Sequence, residues 1–165
     1  MAYVYMMDEQ NPGQVRRDAD GKTWIYARAG ASATAQYGHV LLPVYNSSTE
    51  KGEMWATVPW DVGDLGSATD SWIGHNMYMG FNMETVPSDN FGWFQVGGKA
   101  SINLDTAATG TAGYTLEWYA ATVTPCVGST SLIPRLSQFG VFVETHDTST
   151  AQVVYLHGTP CYGVS

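Results

Sequence analysis

Charge is scarce in this chain. Asp, Glu, Lys and Arg make up 13% of the 165 residues, about half the ~25% usual in globular domains. Ser, Thr, Asn, Gly and backbone must then cover the surface, and such a surface suits packing against other protein. Positive charge is the scarcer sign. Residues 29–165 hold eleven acids against Lys51, Lys99 and Arg135, and the formal net charge is −8. An acidic body repels phosphate, which argues against a nucleic-acid partner. The exception is the cluster Arg16, Arg17, Lys22 and Arg28. It is interleaved with Asp18 and Asp20, so it is expected to form local pairs or to meet an acidic partner surface.

Long apolar runs are absent. No stretch approaches the ~20 residues of a membrane-spanning helix, and no membrane partner is expected. Residues 1–7 are apolar but lack a positively charged start and run directly into Asp8 and Glu9, so they do not read as a secretory signal. Cysteine is nearly absent too. Cys126 and Cys161 stand in the similar pentapeptides Thr124-Pro125-Cys126-Val127-Gly128 and Thr159-Pro160-Cys161-Tyr162-Gly163. A disulfide between equivalent strand ends is one reading. Two buried free thiols is the favoured one, because no export signal is seen and the cytosol is reducing.

Motifs for chemistry are missing as well. There is no Gly-x-Ser-x-Gly elbow, no His-x-x-x-His or Cys-x-x-Cys, and no phosphate-cradling glycine pattern. His39, His75, His146 and His157 stand apart in the sequence. Asp18-Ala19-Asp20-Gly21 resembles part of a calcium loop, but aligning its glycine puts Arg16 at the first ligand position and Ala27 at the bidentate one. A β-turn leading into the next strand is the better reading. Asp61, Asp64 and Asp70 lie beside Trp60 and Trp72, a mix that could line a sugar cleft, although a solvated loop anchored by Trp is favoured. No enzyme activity, cofactor or metal is expected.

What the chain has in quantity is aromatic residues and strand-like segments. Six Trp and ten Tyr suit protein interfaces as well as a β core. Residues 23–29 alternate, with Trp24, Tyr26 and Arg28 on one face and Ile25, Ala27 and Ala29 on the other, the period of two of a half-buried strand. Residues 38–45 form an apolar run interrupted by Pro43, which predicts an edge strand or a strand end there. Further strands are predicted over residues 53–58, 92–96, 99–104, 114–124, 140–145 and 151–157. Residues 105–113 read as a loop, and residues 132–138 as a single helical turn opened by Pro134. No segment carries an amphipathic helical stripe of useful length. Closely spaced strands and turns predict an all-β fold, a compact antiparallel sandwich or small barrel.

The organisation expected is an N-terminal arm over residues 1–19 and a single β domain over residues 20–165, with an irregular excursion at 59–91 that is partly strand near 76–83. Burying the five apolar residues 3–7 of the arm contributes roughly 1.5–3 kcal/mol each, comparable to the ~1–2 kcal/mol per residue that ordering costs. Such an arm orders only against a large apolar surface.

Three segments, in this order, resemble the capsid decoration (cement) proteins of tailed bacteriophages. The first is Asp20-Gly21-Lys22-Thr23-Trp24-Ile25-Tyr26-Ala27-Arg28-Ala29-Gly30, an Asp-Gly-basic-x-aromatic strand running into an Ala-Gly turn. The second is Gly92-Trp93-Phe94-Gln95-Val96, followed by the small-residue loop 105–113. The third is a closing hairpin, Gly140-Val141-Phe142-Val143-Glu144 returning as Ala151-Gln152-Val153-Val154-Tyr155-Leu156. The resemblance implies a small β-fold, a homotrimer, that binds the major capsid protein on the outer face of the head and stabilises the shell without catalysis or cofactor. Candidate interface residues are Tyr3, Tyr5, Met6 and Met7 in the arm, Arg16 and Arg17 in the basic cluster, and Trp60, Trp72 and Tyr78 in the excursion. The alternatives are a carbohydrate-binding β-sandwich acting through Trp60, Trp72 and Tyr78, and another virion part such as a tail-tube or fibre subunit.

Overall fold

The computed structural model of the chain describes residues 11–30, 32–46, 51–57, 78–103, 111–117, 127–129, 138–145 and 151–158. Their regular structure is all strand. Ten strands follow one another: β1 (Val15–Arg17), β2 (Thr23–Ala29), β3 (Gly38–Asn46), β4 (Lys51–Thr57), β5 (Tyr78–Asn82), β6 (Phe91–Asn103), β7 (Thr115–Glu117), β8 (Val127–Ser129), β9 (Gln138–Phe142) and β10 (Ala151–His157). All belong to one sheet ordered β1-β2-β4-β3-β5-β6-β10-β9-β7-β8. This is the all-β class expected. The sheet as a whole is open and ends on β1 and β8. One pairing, β2 with β4, is parallel, where a purely antiparallel arrangement was expected.

A further pairing, β2 with β6, links strands distant in that order, so β2, β4, β3, β5 and β6 pair in a ring. The alternation of β2 explains how the ring fills. Ile25, Ala27 and Ala29 point inward and join Ala33, Leu41, Ala56, Val86, Phe94 and Val96 in a buried cluster. Three small alanines on β2 and β4 let the strands approach closely over Leu41 and Phe94. Gly80 serves the same end on β5. A Cβ there would stand 2.8 Å from Leu41 Cδ1 and 2.9 Å from Phe94 Cβ.

The segments expected as two strands, 92–96 and 99–104, form the single 13-residue strand β6. Gly97-Gly98 bends it rather than ending it. Thr23 pairs with Gly97 and Trp24 with Gln95, leaving Val96 as the extra residue of a β-bulge. Gly98 adopts φ +84°, open to glycine at little cost. Beyond the bulge, Ala100 and Ile102 continue a second apolar face. By register it runs through Val154 on β10 to Phe142 on β9, and through Leu156 and Gly140 to Leu116 on β7. These apolar side chains are all buried. A second bulge leaves Phe139 as the extra residue of β9, with its ring 5.9 Å from that of Phe81 on β5. The sheet therefore curls until β9 reaches back to β5.

Two boundaries differ from expectation. Residues 15–17, assigned to the arm, pair with β2 in the register Val15–Ile25, Arg16–Trp24 and Arg17–Thr23. The turn of residues 18–21 does lead into the Trp24 strand, but it also folds the preceding residues back as a hairpin. Gly21 N donates to Asp18 O at 3.1 Å and Asp18 N to Lys22 O at 2.9 Å. Gln138, expected in a helical turn, starts β9. Pro43 lies within β3, which runs on to Asn46. The described β3–β5 pairs stop at Leu41, so at Pro43 the described ladder of β3 is with β4 alone, where a missing N–H is tolerated. In the excursion, β5 falls within the expected 76–83, and a bridge between Ala33 and Val86 pins the turn before β6 to the ring.

Candidate interaction surface

The outer face of β1, β2, β6 and β4 gathers aromatic and arginine side chains. The same alternation that turns Ile25, Ala27 and Ala29 inward turns Trp24, Tyr26 and Arg28 to the opposite face, where Trp24 is buried and Tyr26 and Arg28 are half-buried. Register then sets their neighbours: Arg16 beside Trp24, Tyr26 beside Trp93 and Arg28 beside Phe91 on β6, and Arg28 beside Trp55 on β4. Tyr26 stacks on Phe91 with ring centroids 5.8 Å apart and 19° between planes, and meets Trp93 at 5.1 Å and 51°. The Arg16 guanidinium lies over two indoles, with Cζ 4.7 Å from the Trp93 centroid and 5.4 Å from that of Trp24. Arg28 Cζ lies 5.0 Å over Trp55.

Carboxylates hold these groups in place. Asp18 Oδ2 accepts from Trp24 Nε1 at 2.7 Å, and its Oδ1 accepts from Arg16 Nε at 3.1 Å. One side chain on the hairpin turn thereby fixes both an indole and the cation above it. Arg28 pairs with Asp89 at 3.1 Å, and Lys22 with Asp20 at 2.6 Å. That hydrogen bond from Lys22 holds the Asp20 carboxyl below its ordinary range. Of the basic cluster, Arg16 and Lys22 form the expected local pairs with Asp18 and Asp20, and Arg28 pairs instead with the distant Asp89. Surface pairs of this kind contribute little stability singly. Their effect here is order, because each pair holds its side chains in one arrangement. Phe91 is 42% exposed, while Tyr26 and Trp93 are half-buried, so the ladder presents itself at the surface.

The residues expected to form an interface are placed as follows. Arg16 and Arg17 lie on β1 and are exposed, Arg16 within the aromatic face. Tyr78 is half-buried and packs against the interior cluster of the ring. Tyr3, Tyr5, Met6, Met7, Trp60 and Trp72 lie outside the described residues, as do Cys126, Cys161, Asp61, Asp64 and Asp70. Trp93, Phe91, Tyr26 and Trp55 were not singled out as interface residues. The signal was present in the odd–even pattern of residues 91–95 and 24–28, and only the pairing of β2 with β6 joins the two.

Among the described residues, no group of three or more His, Cys, Asp or Glu is arranged to hold a metal ion. His39 is buried, and desolvation lowers its pKa to about 4. Its Nδ1 lies 3.0 Å from Tyr37 O. A carbonyl only accepts, so Nδ1 carries the proton of the neutral ring. His39 packs edge-on against Phe94 and serves as part of the interior.

No protein-family model matches the chain, and no curated protein sequence matches it. One solved structure aligns with it, the head fiber gp8.5 N base of bacteriophage phi29, at 9% sequence identity and a TM-score of 0.47, over 86% of this chain and 99% of that one. At that level the likeness does not carry the fiber's role over to this chain.

Proposed function

We propose that this chain is a structural protein of a phage virion that binds the outer face of the head and bridges major capsid subunits, acting as a homotrimer and without catalysis. The observation that carries the reading is the preorganised aromatic–arginine face of β1, β2, β4 and β6. Trp, Tyr and Arg dominate the energetics of protein interfaces when held in well-packed positions, and a rigid face loses little entropy on binding. The reading is also supported by where the family-like segments fall. Two of the three are β2 and the first half of β6, which pair with each other and supply most of this face. The third is the β9–β10 hairpin, which joins the same sheet.

The mechanism is mechanical. A head filled with DNA is a thin shell under outward pressure. A trimer spanning the seams between subunits adds buried area across them, and specific interfaces of this kind typically bury ~1,600 Å². A carbohydrate partner is less well served by the face. Sugar rings stack on open aromatic faces, whereas Trp93 and Trp24 are capped by Arg16 and Tyr26 by Phe91.

The test is co-sedimentation with heads prepared without this protein. Wild type should bind saturably, and Trp93→Ala should weaken binding by about thirtyfold, as expected for a central interface residue, while its unfolding transition stays cooperative. Unchanged binding by Trp93→Ala would sink the assignment of the face. Light scattering should give a solution mass near three times 17.9 kDa, and a monomer on and off the head would remove the trimer.

A further inference from the structure

Beside the aromatic face lies a cleft of about 400 Å³ between the hairpin turn of residues 18–22 and the second half of β6. Its apolar lining comes from Trp24, Met83, Ala100 and Val153, and its charged lining from Asp20, Lys22 and Lys99. Trp24 belongs to both sites, because one side of its indole is under Arg16 and the same residue lines the cleft. The walls are fixed. Asp18 holds the Trp24 indole. Gln95, buried beneath, donates from Nε2 to Gly97 O at 3.0 Å and to Lys99 O at 2.9 Å, locking the bulge that carries Lys99.

Charge in the cleft is not balanced. Two lysines face one carboxylate, and that carboxylate is engaged by Lys22. Lys99 has no carboxylate partner among the described residues. A local excess of positive charge beside apolar lining residues is complementary to a carboxylate attached to an apolar group, against the net charge of −8 of the chain as a whole. We propose that this cleft receives an acidic side chain, with an apolar neighbour, from the protein that docks on the aromatic face. The carboxylate meets Lys99 and Lys22, and the apolar neighbour lies against Trp24 and Val153. This deepens the head-binding reading and rests on it for the identity of the partner, but the chemistry of the cleft can be tested without heads.

The probe is 3-phenylpropionate, a carboxylate on a short aromatic stem, titrated into the full chain and followed by two-dimensional amide and indole NMR. The expected result is saturable shifts of the Trp24 indole N–H and the Lys99 and Ala100 amides. Binding of the uncharged 3-phenylpropionamide should be about fivefold weaker, the share of a charge-assisted contact, and Lys99→Gln should bring the acid down to the level of the amide. Equal affinity for acid and amide, unchanged binding by Lys99→Gln, or no shifts at these residues would each overturn the proposal. A cleft that fails this test while Trp93→Ala still weakens head binding as expected removes the carboxylate site and leaves the docking face standing. The converse result removes the docking face and leaves a carboxylate-binding cleft.

Discussion

Three glycines with nearly the same positive φ allow the packing of the hairpin turn onto β6 to be measured by subtraction. Gly21, Gly98 and Gly113 have φ of +84°, +84° and +85°. A residue with a Cβ pays about 1–2 kcal/mol for this left-handed conformation. Replacing glycine also stiffens the unfolded chain, by a roughly equal amount at each site, so that contribution cancels in the comparison. What differs is space. A Cβ at Gly21 or Gly113 meets nothing within 4 Å. At Gly98 it would stand 2.8 Å from Gly21 O and 3.0 Å from Lys22 Cα. Both are backbone atoms that no rotamer change can move, and overpacking of this kind costs about 1–3 kcal/mol. Gly98→Ala should therefore destabilise by about 2–5 kcal/mol, against about 1–2 kcal/mol for Gly21→Ala and Gly113→Ala. Urea unfolding reads the difference through the midpoints, provided the slopes agree. Thermal midpoints should separate by about 2–4 °C per kcal/mol. Equal losses at all three sites would show that the turn does not rest on the bulge, and the wall of the cleft would go with it.

Two further outcomes follow from named side chains. Asp18→Ala removes the acceptor for both Trp24 Nε1 and Arg16 Nε. It should cost about 1–3 kcal/mol in urea unfolding and free the Trp24 indole N–H to exchange faster, and exchange as slow as in wild type would contradict the role given to Asp18. Buried neutral His39, with its pKa lowered from 6.5 to about 4, makes the unfolded chain bind the extra proton between those values. Its contribution is fully present above pH 6.5 and declines as pH falls to about 4, by roughly 3 kcal/mol. The difference in stability between wild type and His39→Gln, measured from pH 7 to 4, should shrink by about that much, and a pH-independent difference would contradict the burial.

Local periodicity was legible in the sequence, and long-range pairing was not. β2 could be read from its strict alternation, β10 from its valine-rich run, and β5 from the Tyr-Met-Gly-Phe segment within the excursion. The Gly97-Gly98 pair reads as a break between two strands because glycine marks strand ends and bulges alike, and only the neighbouring turn at Gly21 decides between them. β1 is not legible because Val15-Arg16-Arg17 is too short to show a period; its strand state comes from the hairpin turn that follows. The site was half visible. Arg16 and Arg17 stood out by charge in an acidic chain. Trp93, Phe91 and Tyr26 read as ordinary strand residues until β2 and β6, about seventy positions apart, are laid side by side. Tyr78 read as an exposed aromatic because it follows irregular sequence, but its place on β5 turns it toward the interior cluster.

The most direct test of the docking face is cryo-electron microscopy of heads decorated with the purified chain. Density is expected on the outer surface at seams between capsid subunits, with the strands carrying Tyr26, Phe91 and Trp93 turned toward the shell. Density that contacts the shell through the β9–β10 side, leaving those three aromatics facing solvent, would contradict it.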